Sequence, residues 1–325
     1  MHSTTRRRLL RLAGAALAAP ALPHIAGAQS WPARPIKAMI PFAPGSTIDI
    51  IARIVFEPLA QRLGQPIIVE NRGGAGGTIG TAATVNAEPD GYTLLINASA
   101  HSAAPAAYPK IPYDPTRDFS AVISFGSVPN VLVVAPSKGW KTLADLVAAA
   151  KQRSLTFASA GVGSATHWAA ERLRVSAGFD AVHVPFRVGP DAIVQTMTGN
   201  VDFILPGVSG ARSFIADGQL LALAVSTPKR SSALPDVPTT LEAGYPASDY
   251  TFWNGMFVPA KTPRTIIDRL HYETQAVLDT PSVKEKFAPQ GIDPMLMTPA
   301  EFDALIVQEV AANHALVKAA GLKFN

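Results

Sequence analysis

A two-lobed α/β fold is predicted by three features of the sequence. Short apolar runs alternate with stretches of helical periodicity, a unit of strand, glycine turn, Ser/Thr and helix occurs twice, and the chain is 325 residues long. At about 100 to 150 residues per domain, that length accommodates two. The alternation of strand and helix predicts largely parallel sheets, and an apolar share of 48% excludes a disordered chain.

The first unit starts at the apolar run 36–40, turns through Pro44-Gly45 and enters a helix. Ser46 and Asp49 match a [ST]-x-x-[DE] capping box, in which each side chain bonds the other's backbone amide. Ile48, Ile51, Ala52, Val55, Phe56, Leu59 and Leu63 recur at helical spacing and define one buried face. Gly64 supplies the stop; Pro58 predicts a kink without a break, because the apolar stripe continues on both sides. A strand at 66–70, the glycine-rich loop 71–78, a small-residue helix through Val85 and a strand at 92–96 follow. Asn97, Ala98 and Ser99 leave the carboxyl end of that strand, the end at which open α/β sheets hold ligands.

The second unit repeats this plan. A strand at 131–134 and a helix at 142–151 lead to a strand at 155–159, the loop Gly161-Val162-Gly163-Ser164 and a helix at 165–177. Strands at 182–186, 201–205 and 220–226 and a helix at 191–198 continue the alternation, and 234–239 is an irregular connector. A strand at 255–258 and amphipathic helices at 263–278 and 299–319 close the chain.

Helix N-termini carry unpaired amides and a partial positive charge, so two of them facing each other across a cleft would hold an anion without lysine or arginine. Each contributes about 0.3 to 1 kcal/mol, whereas micromolar affinity needs about 8 kcal/mol. Amide and hydroxyl hydrogen bonds in a closed, dehydrated cleft must supply the remainder, which makes hinge closure part of the mechanism.

Charge and composition remove several function classes. Residues 1–28 combine a twin-arginine run (Arg6-Arg7-Arg8), an Ala/Leu-rich stretch from Leu9 to Leu22 and Ala26-Gly27-Ala28, the pattern of an export signal cleaved after Ala28. That segment holds four of the 28 basic residues and no acid, so the remaining 24 match the 24 Asp and Glu and leave no net charge. Nucleic-acid binding has no support from such a balance. Cysteine is absent, which removes disulfides, thiolate nucleophiles and Cys-ligated metals together. Gly74, Gly76 and Gly80 miss the dinucleotide spacing, since Ile79 stands where G-x-G-x-x-G needs glycine, and no GK[ST] follows any loop. His101, His167, His183, His271 and His314 show no ligand spacing, and neither a G-x-S-x-G elbow nor H-E-x-x-H occurs. No cofactor and no metal are expected. His167 is read as a packing or capping residue in the first turn of its helix, with ligand contact the less favoured role; Trp168 is read as core, the floor of a pocket for a planar ligand being the alternative, and Asp49 as a helix cap ahead of a ligand contact.

An ordered set of motifs then identifies a family. PFAPGSTID (41–49), VENRGGAGGTIG (69–80), PDGYTLL (89–95), ASAGVGSATH (158–167), LPDVPT (234–239) and PAKTP (259–263) resemble the Bug-type receptors of tripartite tricarboxylate transporters. The resemblance implies a periplasmic solute-binding protein of the type II two-domain fold, with residues 29–128 and 253–325 in one domain, 129–252 in the other and the ligand cleft between them. It further implies a small organic carboxylate as ligand, a di- or tricarboxylate, an amino acid or an aromatic acid, bound through backbone amides, hydroxyls and bridging waters. Integral-membrane permease subunits or a membrane sensor would be the partners, and a monomer is expected. Carried over by motif, the contacts fall on Phe42, Pro44, Gly45, Ser46, Thr47, Asp49, Gly77, Thr78 and Ser99 in the first domain. In the second they fall on Gly161, Ser164, Thr166, Arg187 and Gly189. Three departures stand out: Gly45-Ser46 replaces the family's Gly-Gly, Gly73 replaces a proline, and Arg187-Val188-Gly189 lengthens VPYKG by one residue. A different class, an exported serine hydrolase of small esters or amides, would use Ser46 or Ser164 with His167 as base.

Overall fold

The computed structural model describes residues 31–108 and 110–320; the export signal and its cleavage point lie outside the described residues. In chain order the first elements are β1 (Ile36–Ile40), α1 (Thr47–Leu63), β2 (Ile67–Asn71), α2 (Thr78–Val85), β3 (Thr93–Ala98), α3 (Ala100–Ala107) and β4 (Phe119–Val128). The next are β5 (Val131–Val134), α4 (Leu143–Gln152), β6 (Leu155–Ser159), α5 (Ala165–Ala177), β7 (Ala181–Pro185), α6 (Gly189–Met197), β8 (Phe203–Ile204), α7 (Val208–Ala216) and β9 (Leu221–Val225). Strand β10 (Phe252–Pro259) and helices α8 (Arg264–Leu278), α9 (Pro281–Phe287) and α10 (Pro299–Ala320) complete the order.

The strands form two sheets of the same plan, β2-β1-β3-β10-β4 and β7-β6-β8-β5-β9. In each, three strands run parallel, with Ile36 opposite Ile67 and Lys37 opposite Thr93 in the first, and Phe157 opposite both His183 and Phe203 in the second. The expectation of largely parallel sheets is corrected here: both are mixed. Strand β10 runs antiparallel to β3 and β4, and β5 antiparallel to β8 and β9. The chain passes between the sheets twice, at 129–130 and 226–251, and the strand each passage delivers, β5 and then β10, runs against its two neighbours. The two passages are tied together: Asn130 accepts the Ser226 amide at 2.8 Å, and Ser226 accepts the Tyr250 amide at 2.8 Å.

Helix α1 buries the face expected of it, with Ile48, Ile51, Ala52, Val55, Phe56, Leu59 and Leu63 all inside, runs unbroken through Pro58 and stops at Gly64 in the left-handed conformation. The core of the first lobe gathers Met39, Leu95, Phe119, Trp253, Phe257 and Phe302. Helix α10 lies over α3 and β4, and α8 over α1 and β4, so the last helices do cover a sheet made earlier. Trp168 is fully buried in the second lobe, as expected of a core residue.

Candidate functional site

At the start of α1 the expected capping box does not form. Gly45 has a φ of +77°, which turns its own N–H, rather than that of Ser46, toward Asp49; Oδ2 of Asp49 accepts it at 3.0 Å. The Ser46 amide instead donates to the Ala43 carbonyl, and Ser46 Oγ is buried with no hydrogen-bond partner among the described residues. Asp49 Oδ2 also accepts from Arg53 Nε at 3.0 Å, and Oδ1 from Asn71 Nδ2 at 2.9 Å. Asn71 Nδ2 donates to the Phe42 carbonyl as well. Burial works to raise the pKa of Asp49, but Arg53, the Gly45 amide and Asn71 together hold it below the usual carboxylate value. Asp49 is thus the staple of the 41–46 loop rather than one half of a reciprocal cap.

The second lobe fixes its loop with hydroxyls instead. Thr166 Oγ1 accepts the Ala160 amide at 2.9 Å, Ser164 Oγ donates to the Gly161 carbonyl at 2.7 Å, and the two hydroxyls lie 2.9 Å apart. Ser164 also caps α5 by accepting the His167 amide. Behind the loop, the rings of His167 and His183 stack at 3.9 Å, a pair that sequence spacing hides because the residues meet only through the packing of α5 on β7. Burial first, and the neighbouring His183 and Arg174 next, push His167 down to about 2 and keep it neutral. Its Nδ1 accepts the Gly163 amide at 3.0 Å, so that nitrogen is not a base for Ser164. Among the described residues no group of three or more His, Asp or Glu is placed to hold a metal ion.

Between the lobes lies a cavity of about 270 Å³. The first turns of five helices line it: Gly45, Ser46, Thr47 and Ile48 at α1, Ala100 at α3, Ser164, Ala165 and Thr166 at α5, Gly189 and Pro190 at α6, and Gly207 and Gly210 at α7. Phe42, Ile193, Val194, Ile204, Phe214 and Phe252 form the rest of the wall with Ala98, Ala160 and Pro206. Among the described residues, no acidic, basic or histidine side chain is in this lining. Helix starts turned inward give the space a positive potential.

Seven of the fourteen expected contact residues line the cavity: Phe42, Gly45, Ser46, Thr47, Ser164, Thr166 and Gly189. The other seven, Pro44, Asp49, Gly77, Thr78, Ser99, Gly161 and Arg187, lie outside the lining. Several of these have other work. Ser99 Oγ accepts from Tyr250 Oη at 2.8 Å, Thr78 Oγ1 donates to the Ala75 carbonyl, and Arg187 is exposed. The glycine loop serves the approach of the lobes: a Cβ on Gly76 would stand 2.0 Å from the Val162 carbonyl oxygen, to which Tyr108 Oη donates at 2.5 Å. The α7 start is the part that sequence reading missed. A signal exists in Pro206-Gly207 after β8, the same dipeptide that follows β1 as Pro44-Gly45.

The comparisons agree with this geometry. A family model described as the tripartite tricarboxylate transporter family receptor matches residues 51–322. Protein BugT of Bordetella pertussis is 35% identical over 97% of this chain and 98% of its own. Among solved structures, R. palustris Rpa4515 with adipate is 29% identical with a TM-score of 0.86, covering 90% of this chain and 99% of its own. MatC (Rpa3494) of Rhodopseudomonas palustris with bound malate is 30% identical with a TM-score of 0.84, covering 88% and 100%. No helix among the described residues is long and apolar enough to cross a membrane. With two α/β lobes, a cavity between them and a family match over most of its length, the chain belongs to the tripartite tricarboxylate transporter receptor family and is a periplasmic solute-binding receptor of the Bug type.

Proposed function

We propose that this receptor captures a small organic carboxylate between its lobes and delivers it to the integral-membrane permease subunits of a tripartite tricarboxylate-type transporter, or to a membrane sensor. The observation that carries the reading is the cavity itself: helix starts from both lobes surround it, and no acidic side chain stands in its lining to repel an anion. The adipate and malate seen in two relatives support it. The lobes are residues 29–128 with 253–325, and 129–252, and the mature chain acts in the periplasm as a monomer after cleavage behind Ala28. Ser46 and Thr47 supply hydroxyls to the ligand, Ser164 and Thr166 hold the 160–164 loop in place beside it, and the α1 and α5 amides supply charge-assisted hydrogen bonds.

The test is a thermal-shift panel of carboxylates on the purified mature protein, joined to native mass spectrometry of any ligand carried through purification. A carboxylate that raises the melting temperature saturably, and leaves chemically unchanged, is the expected result. A panel without any shift would remove the reading's support.

A further inference from the structure

The distribution of polar atoms around the cavity narrows the ligand. Hydroxyls of the lining come from Ser46 and Thr47 at α1 and from Ser164 and Thr166 at α5. The starts of α6 and α7 bring no hydroxyl to the lining: they enter it through Gly189, Pro190, Gly207 and Gly210, of which Pro190 has no N–H and Gly210 gives its amide to the Gly207 carbonyl at 2.9 Å. Beyond those starts the wall is hydrocarbon: Ile193 and Val194 from α6, Phe214 from α7, Ile204 from β8 and Phe252 from β10. An ionised group placed against the buried part of that wall, at Ile193, Ile204 and Phe252, would lose water without gaining a partner, a cost that a neutral hydrocarbon does not meet. The volume, at the lower end of the range of small-molecule pockets, leaves little room for water to accompany a second charge.

We infer that the ligand is an amphiphilic monocarboxylate, with one carboxylate held at the α1 and α5 end and an uncharged apolar body, aromatic ring or branched or cyclic alkyl, against Ile193, Val194, Ile204, Phe214 and Phe252. This deepens the carboxylate-receptor reading and rests on it. It also sets this chain apart from the two relatives solved with the dicarboxylates adipate and malate.

Isothermal titration calorimetry on the mature protein, stripped of carried ligand by urea dialysis and refolding, separates the two ideas. The probes are benzoate and cyclohexanecarboxylate, their para-dicarboxylate counterparts, adipate, malate and, without charge, benzamide. The expected result is that at least one monocarboxylate binds at least about tenfold more tightly than its dicarboxylate counterpart, with benzamide weaker than benzoate. Dicarboxylates that bind as tightly as or more tightly than the monocarboxylates overturn this inference and leave the carboxylate-receptor reading standing. Absence of binding by every carboxylate, or benzamide binding equal to benzoate, overturns both.

Discussion

The Tyr108 hydroxyl donates to the Val162 carbonyl at 2.5 Å, joining a residue of the lobe that carries the first sheet to the glycine loop of the other. Burial pushes the Tyr108 phenol up to about 12, so it remains a proton donor throughout the working range. A hydrogen bond made only when the lobes meet stabilises the closed, loaded form over the open one. Tyr108→Phe is therefore expected to raise the ligand dissociation rate about 2- to 13-fold, from a contribution of about 0.5 to 1.5 kcal/mol. Stopped-flow displacement measures it, and an unchanged rate would show that the bond does not hold the lobes together.

Gly76 tests the same closure sterically. Its φ is +62°, and an added Cβ would stand 2.0 Å from the Val162 carbonyl oxygen. Gly76→Ala should cost about 1 kcal/mol of fold stability, the usual penalty for a side chain in this conformation, yet weaken ligand binding by two orders of magnitude or more. Calorimetry and urea unfolding on one preparation separate the two effects. Equal losses in both would deny the glycine a specific role in closure.

Asp49 accepts hydrogen bonds from Gly45, Arg53 and Asn71 and is 3% exposed. Replacing it by alanine removes the acceptor that ties together Gly45, Arg53 and Asn71; because Gly45 and Arg53 are exposed and can turn to water, Asp49→Ala should lose about 1 kcal/mol of stability. Asp49→Asn, which keeps one carbonyl acceptor, should lose less. Since its folded pKa lies below the ordinary value, the carboxylate's contribution is present above about pH 4 and fades as acid protonates it. Chemical denaturation of the three proteins at pH 7 ranks them, and an alanine variant as stable as the parent would refute the stapling role.

Histidine 101 gives a pH signature. It is fully buried among Tyr113, Phe119 and Phe257, and burial pushes it down to about 3. Below about pH 6.5 the unfolded chain takes up a proton that the fold refuses, so stability present above that pH is lost as the pH falls. The stability advantage of the parent over His101→Gln should shrink by about 2 kcal/mol between pH 7.5 and 5. Burial raises the carboxyl groups of Glu171 and Glu309 and acts in the opposite direction, but both proteins keep them and the difference cancels. Parallel pH profiles would refute a neutral buried His101.

Local periodicity carried much of the fold. The seven apolar positions of α1 are all buried, and β6 and α5 have the limits read from sequence, because each is set by near neighbours along the chain. Elements that depend on distant partners were hidden. Strand β4 contains Ser120, Ser124, Gly126 and Ser127 and holds as a strand through β10, while α3 contains Pro105 and α7 contains Gly210, residues that argue against helix when read alone.

The sequence by itself determined the two-lobed α/β plan, the twin helix starts at Ser46 and Ser164 and the family, because these rest on spacing and on ordered motifs. Only the tertiary structure decided that Asp49 staples a loop, that the Gly76 region serves contact between lobes, and that Ile193, Phe214 and Phe252 wall the cavity. The physical reason is that a ligand's surroundings are a property of the closed cleft. Side chains far apart in sequence become neighbours there, and the water they exclude decides which charges a ligand can carry.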